Sequence, residues 1–258
     1  MTIPRAKKQL GQHFLVDENL LGVIGRLADL APQDVVLEVG PGLGVLTAFL
    51  ADRTAYVHAV EIDRSLEGPL AKRLTGRENV EVHFGDALRL DLGSLEPQST
   101  KLVSNLPYNI ATPLVVESLD LPRLEAWCLM VQREIADRFF AEPSSKAYGA
   151  VSVLVQLAAE RTGFHAVSRT VFRPQPNVDS ALVAFRRRSG PLPDPAVKLL
   201  VTAAFAHRRK RLANSVELAG LAARNRTAAA LEAIGRDRGA RAEELSPQEF
   251  VTLVEALR

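Results

Sequence analysis

Short apolar runs alternate with helix-like segments through the first half of the chain. The runs at 34–39, 55–62, 80–84, 101–104 and 127–131 are almost continuously apolar, as strands buried on both faces are. Helical segments at 45–51, 66–74 and 113–119 separate them, and an amphipathic segment with Asp17 as N-cap precedes them. This alternation predicts an α/β fold with a parallel, Rossmann-like sheet.

The pattern changes after this alternation. The pieces "RTGFHAV" and "SALVAFRR", joined by a loop that includes "FRPQPNVD", predict a hairpin-like pair at the sheet edge. "RRRSGPLPDP" (186–195) is typical of a linker. Beyond it the pattern is helical, with "HRRKR" (207–211) expected on the same helix as the apolar stripe before it and "SPQEF" as a capped helix start. We therefore expect a catalytic domain over 1–187, with a basic N-terminal arm, and a small all-α domain over 188–258.

Composition narrows the class of protein. The 258 residues contain apolar runs well short of the roughly 18 residues needed to span a bilayer, and the start lacks the apolar region of a secretory signal. One cysteine, Cys128, excludes an internal disulfide framework, and its apolar neighbours predict that it is buried. The five histidines show no zinc-ligand spacing. We expect a cytoplasmic monomer with no membrane segment and no metal.

The net charge of +2 conceals an uneven distribution. Between Arg186 and Arg226 ten Lys or Arg accompany two acids, which gives this segment a charge of +8. A basic segment on a mildly acidic body favours a polyanionic partner, although charge alone is also compatible with a solvated face.

Glycines follow the first strand of the predicted sheet. In "LEVGPGLGVL", Gly40, Gly42 and Gly44 lie between a strand and a helix, where they permit a tight turn and close approach of a ligand to backbone N–H groups. A dinucleotide fingerprint would need a third glycine at position 45, which is Val45. The pattern therefore disfavours a nicotinamide-dependent dehydrogenase.

Polar residues also end the next three strands. Glu61 can accept both ribose hydroxyls of a nucleoside, Asp86 can accept from an adenine amino group, and Asn105 follows the fourth strand. Ligands in open α/β sheets bind at the carboxyl ends of the strands, so these residues would converge on one crevice. The implied cofactor is S-adenosylmethionine.

The stretch "SNLPYNI" carries the predicted chemistry. An exocyclic amine is a weak nucleophile, and it needs acceptors for its hydrogens that orient its lone pair and stabilise the developing positive charge. The amide oxygen of Asn105 can be one acceptor, and the carbonyl of Leu106 or Pro107 the other, while Tyr108 can stack on the base. Such catalysis depends on positioning and electrostatics and requires no general base.

These motifs resemble those of a known family. "NLPY" is similar to the (N/D)-P-P-Y-type motif of amino methyltransferases. From "KKQLGQHFL" through "EVGPGLGVLT", "SNLPYNIATPL", "KAYGAVSVLVQ" and "FRPQPNVDSAL" to "AFAHRRKRLANS", the chain resembles the bacterial small-subunit rRNA adenine dimethyltransferases, the KsgA family. The resemblance implies transfer of two methyl groups to N6 of each of two adjacent adenines in a hairpin near the RNA 3′ end. It also implies four S-adenosylmethionine molecules per RNA and a partly assembled 30S particle as partner.

The resemblance also implies roles for individual residues. Gly40 and Gly42 would hold the methionine end of the cofactor, with Glu61 on the ribose, Asp86 on the adenine and Asn105 on both cofactor and target amine. His13, where many members have Asn, and Leu15 would lie against the cofactor. Phe172, held in an exposed loop by "RPQP", would stack on the target adenine opposite Tyr108. The expected RNA contacts are Arg5, Lys7, Lys8, Arg208, Arg209, Lys210 and Arg211.

Three alternatives stay open at this stage. The related enzymes that methylate a large-subunit rRNA adenine and confer macrolide resistance share motifs with this chain, although "KAYGAVSVLVQ" and "AHRRKRLANS" favour the small-subunit class. DNA adenine methylation is disfavoured because nothing resembles a sequence-reading module. A non-catalytic ribosome-assembly factor that binds RNA is disfavoured by the intact glycine, acidic and NLPY motifs.

Overall fold

The protein, seen in a computed structural model, is described over residues 7, 10–15, 17, 19–207 and 209–258. A seven-stranded sheet has the order β4-β3-β2-β5-β6-β9-β7. Its strands are β2 (Val35–Val39), β3 (Tyr56–Glu61), β4 (Val80–Phe84), β5 (Lys101–Asn105), β6 (Ala126–Gln132), β7 (Ala159–Val167) and β9 (Ser180–Arg187). A second, two-stranded sheet pairs β1 (Phe14–Leu15) with β8 (Phe172–Arg173).

The strand order reverses beside β2. This strand pairs in parallel with β3 on one side and with β5 on the other. The chain therefore leaves the carboxyl ends of β2 and β5 in opposite directions, which opens a crevice between them, as in other doubly wound sheets. The predicted parallel sheet is confirmed for β2 to β6.

The far edge of the sheet contains the predicted pair of strands. β9 runs antiparallel to β6, with Trp127 opposite Phe185, and β7 lies beyond β9. The aromatic rings of Trp127 and Phe185 stack with centroids 5.0 Å apart. This confirms that "RTGFHAV" and "SALVAFRR" are neighbours at the sheet edge.

Helices follow the strands as the pattern predicted. They are α1 (Asn19–Leu27), α2 (Val45–Ala51), α3 (Glu67–Arg73), α4 (Ala111–Ser118) and α5 (Arg133–Phe139). The Asp17 carboxylate accepts from the backbone N–H of Asn19 at 2.9 Å, which confirms the predicted cap of α1. Cys128 is buried in the core between α1 and the sheet, as expected, and burial raises its pKa to about 12.

The chain forms two compact units. One contains the described residues up to Ala136 together with Arg161–Arg187, and the other contains Asp137–Glu160 and Arg188–Arg258. Residues 137–160, which the sequence analysis assigned to the first domain, thus group with the C-terminal helices. The helices of the second unit are α6 (Ala150–Ala158), α7 (Pro195–Ala206), α8 (Leu212–Leu218), α9 (Arg224–Ala233) and α10 (Pro247–Ala256).

The second unit has its own aromatic core and helix caps. Phe205 contacts Tyr148 and Phe250, with ring centroids 6.0 Å apart in each pair. Ser246 caps α10 by accepting from the N–H of Glu249, which confirms the predicted helix start. The prediction that 207–211 continues the preceding helix is wrong, because α7 ends at Ala206. Of the helices in the described parts of the chain, none is long and apolar enough to cross a membrane.

Candidate functional site

A cleft lies at the carboxyl ends of β2, β3, β4 and β5, all within the first unit. The space within it is about 850 Å³, which includes the part open to solvent. The structure brings most of the predicted site residues to this cleft: His13, Leu15, Gly40, Gly42, Glu61, Asn105, Leu106, Pro107 and Tyr108.

The glycine turn after β2 has the backbone conformation that only glycine adopts without strain. Gly40 and Gly42 have φ of +77° and +60°. A Cβ on Gly40 would lie 3.1 Å from the ring of Pro107, and one on Gly42 would lie 3.1 Å from Phe14. The absence of side chains here therefore lets the NLPY segment and the N-terminal strand pack directly against the turn.

Glu61 connects this turn to the end of β3. Its side chain is buried, and its carboxylate accepts from the N–H of Gly42 at 3.1 Å and from the N–H of Asp63 at 2.8 Å. Burial raises its pKa, although these two backbone bonds oppose the shift. A carboxylate has about four acceptor positions, so Glu61 retains capacity for a diol. The predicted ribose contact stays a prediction that this geometry fits.

Glu38 is a site residue that the sequence analysis missed. It lies on β2, lines the cleft and is 1 % exposed, and its Oε2 has no hydrogen-bond partner among the described residues. Burial, and secondarily the nearby Glu61 carboxylate, raise its pKa to about 8. A buried carboxyl in a cleft wall with one unpartnered oxygen fits a cationic group of a ligand, such as the ammonium of S-adenosylmethionine. The signal in the sequence was an acid within an otherwise apolar strand.

Asn105 is oriented by the N-terminal strand. Its Nδ2 donates to the backbone carbonyl of His13 at 3.1 Å. A carbonyl can only accept, so the amide nitrogen must face His13 and Oδ1 remains available as an acceptor in a residue that lines the cleft. The His13 ring donates from Nδ1 to the carbonyl of Pro174 at 2.7 Å. The predicted contact of His13 with the cofactor stays a prediction.

The turn after Asn105 distinguishes the two candidate carbonyls. The N–H of Leu106 donates to Met130 at 3.0 Å, and the carbonyl of Pro107 accepts from Ile110 at 3.1 Å. Among the described residues, no backbone hydrogen bond uses the carbonyl of Leu106. Tyr108 bonds through its hydroxyl to Ser180 Oγ at 2.7 Å, and burial raises its pKa, so the phenol stays neutral.

Two predicted site residues lie elsewhere. Asp86 is absent from the lining of the cleft, although Gly85 and Ala87 contribute to it. Its carboxylate instead accepts from the N–H of Leu88 at 3.1 Å and lies 3.4 Å from Nε of Arg89, as the cap of a turn. Its predicted contact with the cofactor adenine stays a prediction.

Phe172 is also misplaced by the sequence analysis. The expectation of an exposed loop is wrong, because Phe172 is 2 % exposed, pairs with Leu15 across the small sheet and packs in the core. Pairing of β8 with β1 buries the ring, a long-range contact that the flanking prolines do not indicate. Stacking on a base would require the ring to leave this core.

The predicted RNA contacts are only partly visible. Arg5, Lys8 and Arg208 lie outside the described residues, whereas Arg209, Lys210 and Arg211 are exposed and stay predictions.

Lys7 has a partner within the chain. Its Nζ is 2.6 Å from Asp63 Oδ1, and Gln12 donates to Asp63 Oδ2 at 2.9 Å. Burial opposes ionisation of Asp63, but the hydrogen bonds from Lys7, Ser65 and Gln12 outweigh it and hold its pKa well below the usual range. Lys7 therefore ties the N-terminal segment to the end of β3, and its charge is already paired.

Comparisons with known proteins identify the family. The chain matches the sequence model described as "Ribosomal RNA adenine dimethylase" over residues 3–258. It is 51 % identical over 252 residues to the "Ribosomal RNA small subunit methyltransferase A" of Rubrobacter xylanophilus, covering 97 % of this chain and 94 % of that protein. The protein of the same name from Thermobifida fusca is 44 % identical over 262 residues, with coverage of 97 % and 90 %.

Two solved structures are similar over nearly the whole chain. A dimethyladenosine transferase from Plasmodium falciparum superposes with a TM-score of 0.76 at 24 % identity, covering 94 % of this chain and 96 % of that one, which supports the fold. The 23S rRNA methyltransferase ErmE superposes with a TM-score of 0.68 at 31 % identity, covering 95 % and 99 %. The match to the family model over residues 3–258, together with 51 % identity over 97 % of the chain, shows that this chain belongs to the ribosomal RNA adenine dimethylase family.

Proposed function

We propose that the chain transfers methyl groups from S-adenosylmethionine to N6 of two adjacent adenines in a hairpin near the 3′ end of small-subunit rRNA, giving N6,N6-dimethyladenine. The observation that carries this proposal is the orientation of Asn105, whose amide nitrogen is held by the His13 carbonyl at 3.1 Å. The side chain thus offers an oxygen, and not its N–H₂ group, to a ligand in the cleft. An oxygen is what an amine nucleophile requires.

The cofactor fits the residues on the β2 and β3 side of the cleft. Glu38 offers an unpartnered buried carboxyl for the cofactor ammonium, and Glu61 offers remaining acceptor positions for the ribose hydroxyls. Gly40 and Gly42 let the ligand approach the backbone closely. When bound, S-adenosylmethionine supplies an electrophilic methyl group on a sulfonium sulfur.

Asn105 and Leu106 would hold the target amine. Asn105 Oδ1 and the Leu106 carbonyl accept its two hydrogens, which directs the nitrogen lone pair toward the methyl group. We prefer Leu106 to Pro107 because the Pro107 carbonyl already accepts from Ile110. As the nitrogen gains the methyl group it becomes positively charged, and the two fixed oxygens stabilise that charge until one proton is lost to water.

Tyr108 would hold the face of the base. Its ring lies at the cleft with its centroid 5.5 Å from that of His13, and its hydroxyl is fixed by Ser180. A neutral, fixed aromatic ring is a suitable stacking surface, worth about 1–3 kcal/mol per base. In the arrangement described here this support comes from one face only, since Phe172 is buried.

The RNA and its setting complete the proposal. We assign the substrate to small-subunit rRNA in a partly assembled 30S particle during subunit biogenesis, and we propose a monomer that acts in the cytoplasm. The similarity to ErmE makes 23S rRNA the competing substrate. The 51 % identity to a small-subunit enzyme, against 31 % to ErmE, favours the small-subunit RNA.

One experiment separates these substrates. The protein is incubated with methyl-labelled S-adenosylmethionine and unmodified 30S particles, free 23S RNA or duplex DNA, and the label is mapped. We expect dimethyladenine in the 30S RNA alone. Methylation of 23S RNA but not of 30S particles would overturn the proposed substrate.

A variant tests the mechanism. Asn105→Ala should keep RNA binding but lose transfer by about 100-fold or more, the usual effect of removing one preorganised hydrogen-bonding group. Asn109→Ala is the matched control, because Asn109 is an exposed amide in the turn that follows Asn105. Unchanged turnover of Asn105→Ala, or an equal loss in Asn109→Ala, would contradict the role given to Asn105.

A further inference from the structure

Two histidines and a glutamate lie together on one face of the sheet, away from the carboxyl ends of the strands. Residue His58 of β3 pairs with Glu81 of β4, and Val60 pairs with His83. Alternate residues of a strand face the same side, so His58, Glu81 and His83 converge. The Nδ1 atom of His58 is 3.0 Å from Nε2 of His83, and Oε2 of Glu81 is 3.8 Å and 3.7 Å from these two atoms.

These distances match the spacing of ligands around a metal ion. Ligand atoms bonded to tetrahedral Zn²⁺ are about 3.4 Å apart, since each bond is about 2.05 Å long. In the plane of the three atoms, the point equidistant from them lies about 2.05 Å from each, which is the length of a bond to Zn²⁺. An ion would therefore fit with movements of a few tenths of an ångström, smaller than a change of rotamer.

Hydrogen bonds to neighbouring residues fix the orientation of His58 and Glu81. Nε2 of His58 lies 2.9 Å from the carbonyl of Pro97, which can only accept, so Nε2 carries the proton and Nδ1 of the neutral ring is an acceptor. This Nδ1 accepts from Nε2 of His83 at 3.0 Å, and a metal ion that displaces the shared proton would take both nitrogen lone pairs. The hydroxyl of Tyr56 donates to Oε2 of Glu81 at 3.3 Å. Such contacts from carbonyls and hydroxyls fix the orientation of metal ligands in known sites.

We propose that His58, Glu81 and His83 form a binding site for a divalent transition-metal ion of the Zn²⁺ type, with water completing the coordination. The His58 side chain is fully buried, whereas the side chains of His83 and Glu81 are 20 % and 50 % exposed, which gives an ion a path from solvent. Imidazole and carboxylate ligands in this number suit Zn²⁺.

A bound ion would join β4, the edge strand, to β3. The sequence showed no zinc spacing because the two histidines are 25 positions apart and meet only through strand pairing. The ion would thereby stabilise the strand that leads to Gly85 at the cleft, without contacting the cleft itself.

The test is a Zn²⁺ titration of the full chain against a chromophoric chelator, with thermal unfolding followed in parallel. We expect one ion per chain and a higher unfolding temperature with Zn²⁺. His83→Gln should weaken binding by about 100-fold or more and Glu81→Gln by about tenfold, whereas His165→Gln, at an exposed strand position, should bind as the unmodified protein does.

Glu81→Gln, at a half-exposed position, keeps the test valid if His83→Gln disturbs the strand. Replacing Zn²⁺ with Co²⁺ should give the visible absorption bands of a four-coordinate site. His83→Gln and Glu81→Gln should both lose these bands. Zn²⁺ affinity that is equal in the unmodified chain and in both ligand variants, or no binding by the unmodified chain, would overturn the proposal. An equal loss in His165→Gln would assign the ion to nonspecific surface binding and would also overturn it.

Discussion

Replacing Glu38 by Gln should change how the stability of the first unit depends on pH. Glu38 is 1 % exposed, its Oε2 has no partner among the described residues, and burial raises its pKa to about 8. Gln has nearly the same shape as the protonated carboxylic acid but does not titrate. The substitution therefore removes the ionisation and leaves the packing in place.

The size of the effect follows from the pKa. The pKa of this carboxyl rises from 4.5 to about 8 on folding, and each pKa unit corresponds to about 1.4 kcal/mol. Full ionisation of Glu38 therefore lowers the free energy of unfolding by about 5 kcal/mol. Because the pKa of Glu38 is higher in the folded than in the unfolded chain, its contribution to stability is fully present below pH 4.5 and is lost as the pH rises through 8. Between pH 5 and pH 9 the loss from Glu38 is about 4 kcal/mol.

The assay is denaturant unfolding without cofactor at pH 5, 7 and 9, followed by the fluorescence of Trp127. This is the single tryptophan, and it belongs to the same compact unit as Glu38. Subtracting the stability of the unmodified protein from that of Glu38→Gln at each pH cancels the titrating groups that do not interact with Glu38. We expect similar stability at pH 5 and an advantage of about 4 kcal/mol for Glu38→Gln at pH 9.

Glu78→Gln is the matched control, because Glu78 is an exposed glutamate in the same compact unit as Glu38. Added S-adenosylmethionine should stabilise the unmodified protein more than Glu38→Gln, since an ammonium beside Glu38 favours the ionised carboxylate. Parallel stability curves for the two proteins from pH 5 to pH 9 would refute the reasoning.

Two further substitutions test the site and its scaffold. Tyr108→Phe keeps the ring but loses the 2.7 Å hydrogen bond to Ser180, so methyl transfer should fall less than tenfold, whereas Tyr108→Ala should lower it by about 10–100-fold. Equal effects of the two variants in labelled-methyl assays would exclude stacking. Arg187 donates to the three carbonyls of Leu119, Leu121 and Leu124, so Arg187→Lys should cost about 2 kcal/mol in urea unfolding; an unchanged midpoint would show that these bonds add no stability.

The sequence predicted those parts of the fold that depend on local pattern. The strand at 80–84 and the helix at 45–51 have the predicted bounds, because the hydrophobic periodicity of each segment is a local property of the sequence. The helix expected to include 207–211 ends earlier, because the chain turns at His207 even though Arg and Lys are good helix formers. The grouping of 137–160 with the C-terminal helices depends on long-range packing, which no local pattern records.

The predicted site shows the same limit at the level of single residues. Glu61 and Asn105 end strands, so the topology alone delivers them to the cleft. Asp86 follows a strand as well, but its side chain turns back to cap the next two residues, because an Asp can bond to its own backbone at little cost. Strand ends therefore fix where a backbone arrives and leave the direction of the side chain open.

Pairing between distant segments determines the burial and orientation of side chains that the local sequence does not predict. The β1–β8 pair places Leu15 opposite Phe172 and buries both, although each lies in a segment whose own composition is compatible with an exposed loop. The same kind of pairing places the His13 carbonyl against Asn105, 92 positions away, and so sets which atom of the amide faces a ligand. The residue types needed for amine methylation were visible in the sequence. The orientation that makes Asn105 an acceptor depends on a strand of only two residues, whose position is set by its partner and not by its own propensity.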